Sequence, residues 1–177
     1  MVFFLASMAS GAMLGYVVGT TRAQLRDSTD RSAQPAGSRL RRRPFRVSQP
    51  PGWTLDKNDP HVEPERALKL LGPEVAIFHV EVLKGLADAA KIVETNVEGF
   101  SSGYSSPPRR TPFTQWGSYQ GVGAILDGTG TSGYPLRSRV FAHVVGGKGF
   151  AVYETRGQST KDDHGLQMIE SSFELLP

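Results

Sequence analysis

Three apolar runs are the strongest indication of the fold of this chain: QWGSYQGVGAIL at 115–126, LRSRVFAHVV at 136–145 and GFAVYET at 149–155. Each run is typical of a β-strand, and glycine-containing turns separate them. Consecutive strands that are joined by short turns pair in the antiparallel sense. The sequence therefore predicts an antiparallel meander in the second half of the chain.

The residues before the meander predict further strands and a short helix. A strand at 45–48 is followed by a Pro-Gly turn and by Trp53, which we expect to be buried. Residues 63–71 predict a short helix, because Pro64 suits a first turn and Gly72 with Pro73 would end it. Residues 75–83 alternate apolar side chains with others and predict the clearest strand.

Two longer helices flank the meander. Residues 86–100 place apolar side chains on one helical face, and Gly99 is expected at the C-terminal cap. Residues 101–112, rich in serine and proline, predict a loop. Residues 162–173 predict an amphipathic helix whose inward side chains are Leu166, Ile169 and Phe173.

The N-terminal residues 2–21 contain no charged side chain. About 20 helical residues span about 30 Å, the thickness of the hydrocarbon core of a bilayer. A cleaved signal peptide is the alternative, but no lysine or arginine precedes the apolar run. We therefore predict a retained transmembrane helix at 1–21.

A stripe of small residues follows one face of this predicted helix. Ser7, Gly11, Gly15 and Gly19 recur every four residues. In lipid, such a stripe lets two helix backbones approach closely, so it predicts packing against the transmembrane helices of a larger complex. The alternative is that glycine is simply common in membrane helices.

A basic tether at 22–44 connects the predicted span to the domain. The net charge of the chain is +3. The region around the tether holds eight arginines against Asp27 and Asp30, so the rest of the chain has a net negative charge. A nucleic-acid partner is therefore not expected for the domain. These arginines predict a cytoplasmic domain by the positive-inside rule, with a periplasmic or lumenal side as the alternative. The tether should be disordered in isolation. The arginines are Arg22, Arg26, Arg31, Arg39, Arg41, Arg42, Arg43 and Arg46.

The cluster of Arg39, Arg41, Arg42 and Arg43 is the first candidate interaction site. It could contact anionic lipid headgroups or an acidic protein surface, and the alternative is a solvated determinant of topology. A second candidate, in the loop before the meander, combines Arg109 and Arg110 with Phe113 and Trp116. Exposed aromatic and arginine side chains of this kind are typical anchors for a protein partner.

No catalytic, cofactor or metal residue is predicted. The chain has no cysteine, which excludes thiolate metal sites and cysteine nucleophiles. Its four histidines lack metal-ligand spacing, although His79 and His143 could meet across the sheet. The GTGTSG motif at 128–133 matches a dinucleotide fingerprint, but Tyr134 and Pro135 follow it rather than a helix, so a hairpin loop is favoured.

Residues 45–177 resemble the PsbP/Mog1-like fold. The residues that carry the resemblance are Phe45, Val47, Pro50, Gly52 and Trp53 at the start, Gly121, Gly123, Arg139, Gly147 and 149–153 in the meander, and 169–173 at the end. The resemblance implies an α-β-α sandwich that docks on partners, since PsbP is an extrinsic subunit of a photosystem and Mog1 binds a small GTPase. Relatives of PsbP lie in the lumen or periplasm, which conflicts with the cytoplasmic orientation, and the long retained span also departs from them.

The sequence thus predicts an α+β protein: one N-terminal transmembrane helix, a tether and a soluble α-β-α sandwich with a mainly antiparallel sheet. The expected function is that of a non-catalytic accessory subunit of a larger membrane complex, with a photosynthetic reaction-centre or light-harvesting assembly as the suggested partner. A transient assembly factor or binding module is the first alternative. An enzyme of unknown class is the second.

Overall fold

The computed structural model describes residues 38–41, 44–60, 62–83, 88–157 and 163–176. This part of the chain holds ten strands and two helices and belongs to the α+β class, as predicted. The strands are β1 (Ser38–Arg41), β2 (Phe45–Gln49), β3 (Thr54–Leu55), β4 (Ala67–Leu71), β5 (Ile77–Leu83), β6 (Arg109–Trp116), β7 (Tyr119–Thr129), β8 (Pro135–Val145), β9 (Lys148–Gly157) and β10 (Glu174–Leu175). The helices are α1 (Ala89–Ser101) and α2 (Asp163–Ser172).

A seven-stranded antiparallel sheet forms the centre of the domain, in the order β3-β4-β5-β9-β8-β7-β6. The predicted meander is confirmed by the antiparallel pairs of β7 with β8 and of β8 with β9. The predicted strand at 75–83 is confirmed by β5. In this central strand Phe78 and His79 are both buried, because both faces of the sheet are covered.

The meander contains one strand more than predicted. The prediction of a loop at 101–112 is wrong over its last part, since β6 begins at Arg109 and includes Pro112. Proline is tolerated there because β6 is an edge strand that pairs only with β7. The run 115–126 is also not one strand: the chain turns at Gly117, whose φ is +55°, and this conformation favours glycine.

The predicted helix at 63–71 is wrong. A turn leads into β4, which pairs with β3 on one side and β5 on the other. Leu68 and Leu70 are fully buried on the same face of the sheet. The helix propensity of leucine, lysine and alanine is a weak preference, and the burial and pairing of this strand override it.

Helix α1 confirms the prediction made for 86–100. Asp88 caps its N-terminus by accepting hydrogen bonds from the backbone N–H groups of Ala90, at 2.9 Å, and Lys91, at 3.2 Å. The C-terminal cap is Ser102 rather than Gly99 as predicted. Val93 and Val97 pack against β7 and β8, so α1 covers one face of the seven-stranded sheet.

The opposite face is covered by α2 together with a three-stranded sheet in the order β1-β2-β10. Leu166, Ile169 and Phe173 are buried, as predicted. They join the main core, which contains Phe45, Trp53, Phe78, Trp116, Phe141 and Phe150. Phe141 and its neighbour Val140 belong to different clusters, because successive residues of a strand point to opposite faces.

The predicted span at 1–21 and its packing residues Ser7, Gly11, Gly15 and Gly19 lie outside the described residues. Neither helix of the described ranges has the length and apolar character needed to cross a membrane. Within the stretch assigned to the tether, Ser38–Arg41 form β1 and pair with β2. Leu40, the single large apolar side chain of β1, packs against the main core.

Candidate functional site

The outer face of the three-stranded sheet carries arginines from two strands. Arg39 and Arg41 are exposed and lie two residues apart on β1, so their side chains point to the same side. Across the pair with β2, Arg41 lies opposite Arg46 and Arg39 lies opposite Ser48. Side chains that lie directly opposite one another share a face. We call this surface, made of Arg39, Arg41, Arg46, Ser48 and Glu174, the arginine face.

The inner face of the same sheet fixes its orientation. Phe45 and Val47 of β2 are fully buried, and Leu40 and Leu175 pack against the same core. Because strand side chains alternate between faces, the burial of these residues holds the arginines outward. The arginine face is therefore part of the rigid domain and not of a flexible tether.

One carboxylate belongs to the arginine face. Glu174 lies opposite Arg46 on β10 and forms an ion pair with it. The side chains of Arg46 and Glu174 are 36% and 46% exposed, so water screens their attraction. The face as a whole keeps a net positive charge. Arg42 and Arg43, which were predicted to extend this cluster, lie outside the described residues.

The predicted patch of Arg109, Arg110, Phe113 and Trp116 does not form an exposed aromatic surface. The expectation that Trp116 is exposed is wrong, because it is fully buried in the main core. Phe113 is half-buried, with its ring centroid 5.7 Å from that of Phe141. The two arginines are exposed, and Arg110 donates to Glu94 at 2.8 Å, while Arg109 lies 3.3 Å from Asp127.

The indole N–H of Trp116 donates a hydrogen bond to Glu154 at 2.8 Å. Glu154 is buried beside Arg139, at 3.0 Å, and Arg139 also contacts Glu170 of α2 at 3.0 Å. Burial raises the pKa of the Glu154 carboxyl, while Arg139 and the Trp116 indole act in the opposite direction. This network joins the β6–β7 turn to α2, since Glu170 also accepts a hydrogen bond from the backbone N–H of Gly117 at 2.8 Å.

The two strand histidines do not meet. His79 lies opposite Tyr153 in the pair of β5 with β9, and its ring centroid is 5.4 Å from that of Tyr153. His143 packs on the other face of the sheet, against Tyr119 and Phe150. In the ranges that the structure describes, no three histidine, aspartate or glutamate side chains are grouped to hold a metal ion. His61 lies outside those ranges.

A buried polar cluster lies beside His79, on the α1 side of the sheet. Lys69 of β4 is the cross-strand neighbour of His79. Its ammonium group contacts Asp59 at 2.7 Å and Asp56 at 3.2 Å. The segment that carries these aspartates is held over the sheet by the backbone N–H of Asp56, which donates to the carbonyl of Lys69 at 2.9 Å. The cluster therefore closes over a lysine that would otherwise be buried without a counter-charge.

His79 has no hydrogen-bond partner for either ring nitrogen and is 5% exposed. Burial and, to a smaller extent, the neighbouring ammonium of Lys69 together lower the pKa of His79 to about 4, against a smaller opposite effect of Asp59. No local sequence pattern indicates this environment. His79 alternates with the core residues Phe78 and Val80 along β5, and a local pattern of this kind does not show that the other face of the strand is also covered.

No protein-family model matches the chain, and no curated protein matches it. Among solved structures, a protein from Bacteroides thetaiotaomicron VPI-5482 is similar over 75% of this chain, with 13% identity and a TM-score of 0.49. That match covers 45% of the other protein, so this chain spans less than half of its length. LpqN, a protein of Mycobacterium tuberculosis involved in cell envelope biogenesis, is similar over 88% of this chain and 96% of its own, with 12% identity and a TM-score of 0.42. Both TM-scores lie below 0.5, so neither similarity says anything about function, and neither protein carries a PsbP or Mog1 name.

Proposed function

We propose that this chain is a non-catalytic, membrane-anchored accessory subunit that docks on a larger membrane protein complex and stabilises it. The resemblance to the PsbP/Mog1-like fold suggests a photosynthetic reaction-centre or light-harvesting assembly as the complex. The partners are transmembrane helices of that complex, together with lipid headgroups at the arginines. The observation that carries the proposal is the attachment of β1 to the domain.

Because β1 pairs with β2, residues from Ser38 onward are already attached to the domain. Only residues 22–37 then separate it from the predicted span, and a fully extended chain of that length reaches at most about 55 Å. A domain on such a short connection stays near the bilayer and near anything that binds its anchor. This geometry favours a subunit held beside one membrane partner, with its domain on the cytoplasmic side by the positive-inside rule.

The buried charges also support a docking role. Lys69 is engaged by Asp59, and Glu154 is engaged by Arg139 and Trp116. Such pairs tie neighbouring elements of the domain together, which suits a rigid module with a fixed surface. A transient assembly factor would share these features, but it would co-purify with its client complex in substoichiometric amounts. An enzyme would require the buried polar cluster around His79 to open to a substrate.

Helix packing through the glycine stripe can be tested on the full chain. Leucine at Gly11 and Gly15 should prevent close helix approach, so the double variant is expected to lose most of the partner that co-purifies in mild detergent. The matched control places leucine at Ala6 and Ala9, on the opposite side of the predicted helix. Quantitative mass spectrometry of the purified material measures both variants. A wild-type chain that always runs as a free monomer, or equal losses in the two variants, would contradict the proposal.

A further inference from the structure

The arginine face is unusual in having no apolar or aromatic side chain. Its five residues are three arginines, a serine and a glutamate. Stable protein interfaces are usually centred on buried aromatic and aliphatic anchors surrounded by a polar rim. A surface that offers only guanidinium groups and small polar groups is suited to a layer of phosphates.

We propose that the arginine face binds the phosphate groups of anionic lipids, and that Glu174 limits this binding by holding Arg46. The inference rests on the proposed membrane anchoring, and it adds to it an orientation for the domain. The three-stranded sheet lies against the headgroups, and the seven-stranded sheet points away from the bilayer.

The spacing of the three arginines suits this partner. Residues two apart on a strand are about 6.7 Å apart, and directly opposite residues are about 5 Å apart. Arg39, Arg41 and Arg46 therefore start from one sheet, with their Cα atoms within about 8 Å of one another. A guanidinium can donate two parallel hydrogen bonds to a phosphate, so this sheet can engage adjacent lipid phosphates without any rearrangement of the backbone.

The position of the arginine face in the chain favours lipid over an acidic protein surface. Two of its arginines lie on β1, the described strand nearest to the predicted span. The β7–β8 connection of the seven-stranded sheet, which exposes Tyr134, has no such link to the N-terminus. In an anchored chain, the tether leads directly into β1, so the arginine face is the part of the domain that is held closest to the bilayer surface.

Glu174 gives the surface an internal competitor. Its carboxylate forms an ion pair with the guanidinium of Arg46. Because both side chains are exposed, this ion pair adds little stability to the fold. A lipid phosphate would compete with Glu174 for the same donors. Removing the carboxylate should therefore strengthen lipid binding, whereas most substitutions in a binding surface weaken it.

The test uses the full chain reconstituted in vesicles. Since the chain has no cysteine, a donor fluorophore can be placed at Ser171→Cys, an exposed position on α2 next to Ser172, which contacts the backbone of Ser48. Energy transfer to an acceptor in the headgroup layer reports the distance of the domain from the bilayer. We expect transfer to rise when phosphatidylglycerol is added to phosphatidylcholine vesicles.

Glu174→Gln is expected to lower the phosphatidylglycerol fraction at half-maximal transfer several-fold. Arg39→Gln, Arg41→Gln and Arg46→Gln should each weaken the response, by roughly five-fold per arginine. The matched controls are Glu94→Gln and Arg110→Gln, which change the same charges in an ion pair on α1 and β6. Both controls should behave like the wild type.

Three results would overturn this inference: no response to phosphatidylglycerol, an equal gain from Glu94→Gln, or arginine variants that lose the co-purifying protein while keeping the lipid response. The last result would show that the arginine face binds an acidic protein surface. Flotation with pure phosphatidylcholine vesicles tests the anchor separately. A chain that floats there but ignores phosphatidylglycerol would refute the lipid site alone, and a chain that does not float would refute the anchoring.

Discussion

Acidification from pH 6.5 to about 4 is expected to lower the free energy of unfolding by about 3 kcal/mol through His79 alone. The unfolded chain takes up a proton at His79 below its ordinary pKa of 6.5, whereas the folded protein takes it up only near pH 4. Falling pH between these values therefore favours the unfolded state. Well above pH 6.5, where His79 is unprotonated in both states, its contribution is constant. Urea unfolding at a series of pH values measures the effect.

His79→Phe provides the control, because it keeps an aromatic ring beside Tyr153 and removes both nitrogen atoms that lack partners. The difference in unfolding free energy between wild type and variant isolates His79 from the other titrating groups. Among the described carboxyl groups, burial raises the pKa of Glu154, the guanidinium of Arg137 lowers that of Asp127, and the guanidinium of Arg110 lowers that of Glu94. We expect the unfolding free energy of His79→Phe to increase relative to that of the wild type as the pH falls. A difference that is constant from pH 7 to 4 would show that His79 is not buried as a neutral ring.

Arg139→Met is expected to destabilise the domain by about 3–5 kcal/mol at neutral pH. The substitution leaves the carboxylate of Glu154, which is 2% exposed, without its cationic partner. It also removes the contact of Arg139 with Glu170 and its stacking over the Phe113 ring, 5.1 Å from the centroid. The loss should shrink as the pH falls, because protonation of Glu154 removes the uncompensated charge.

Two further variants locate the cause of this destabilisation. In the double variant Arg139→Met with Glu154→Gln, a neutral amide can still accept from Trp116, so most of the stability should return. Arg137→Met is the matched control on the same strand, because Asp127 keeps Arg109 as a partner. Its cost should stay near 1 kcal/mol or less. Equal losses for Arg139→Met and Arg137→Met, or no recovery in the double variant, would contradict a buried charge as the cause.

Much of the secondary structure was predictable because it follows a local period. The meander, β5 and both helices carry alternating or helical apolar patterns that hold over their whole length. The wrong predictions concern segments whose conformation depends on neighbouring strands. The β4 sequence ALKLL is compatible with a helix until β3 and β5 lie beside it, and β6 contains a proline that only an edge strand accepts.

The candidate sites were less predictable than the fold. The sequence identified Arg39 and Arg41, but Arg46 and Glu174 are far apart in the chain and meet only because β2 lies between β1 and β10. Trp116 was assigned to a surface because its loop neighbours are arginines. The register of β6 against β7 shifts between Phe113 and Gln115, so Trp116 points to the same face as Phe113 and enters the core, where Glu154 accepts its hydrogen bond.

Local sequence patterns are enough to predict the class of the domain, its antiparallel meander and the amphipathic faces of α1 and α2, and they show the concentration of arginines before the first core strand. These features depend on residues close together in the chain, where the periods of 2 and 3.6 residues act. Which polar side chains are buried and which arginines share a surface depends on how the strands and helices pack together. Burial and register arise from pairing between distant strands, so His79, Glu154 and the arginine face have no local signal to reveal them.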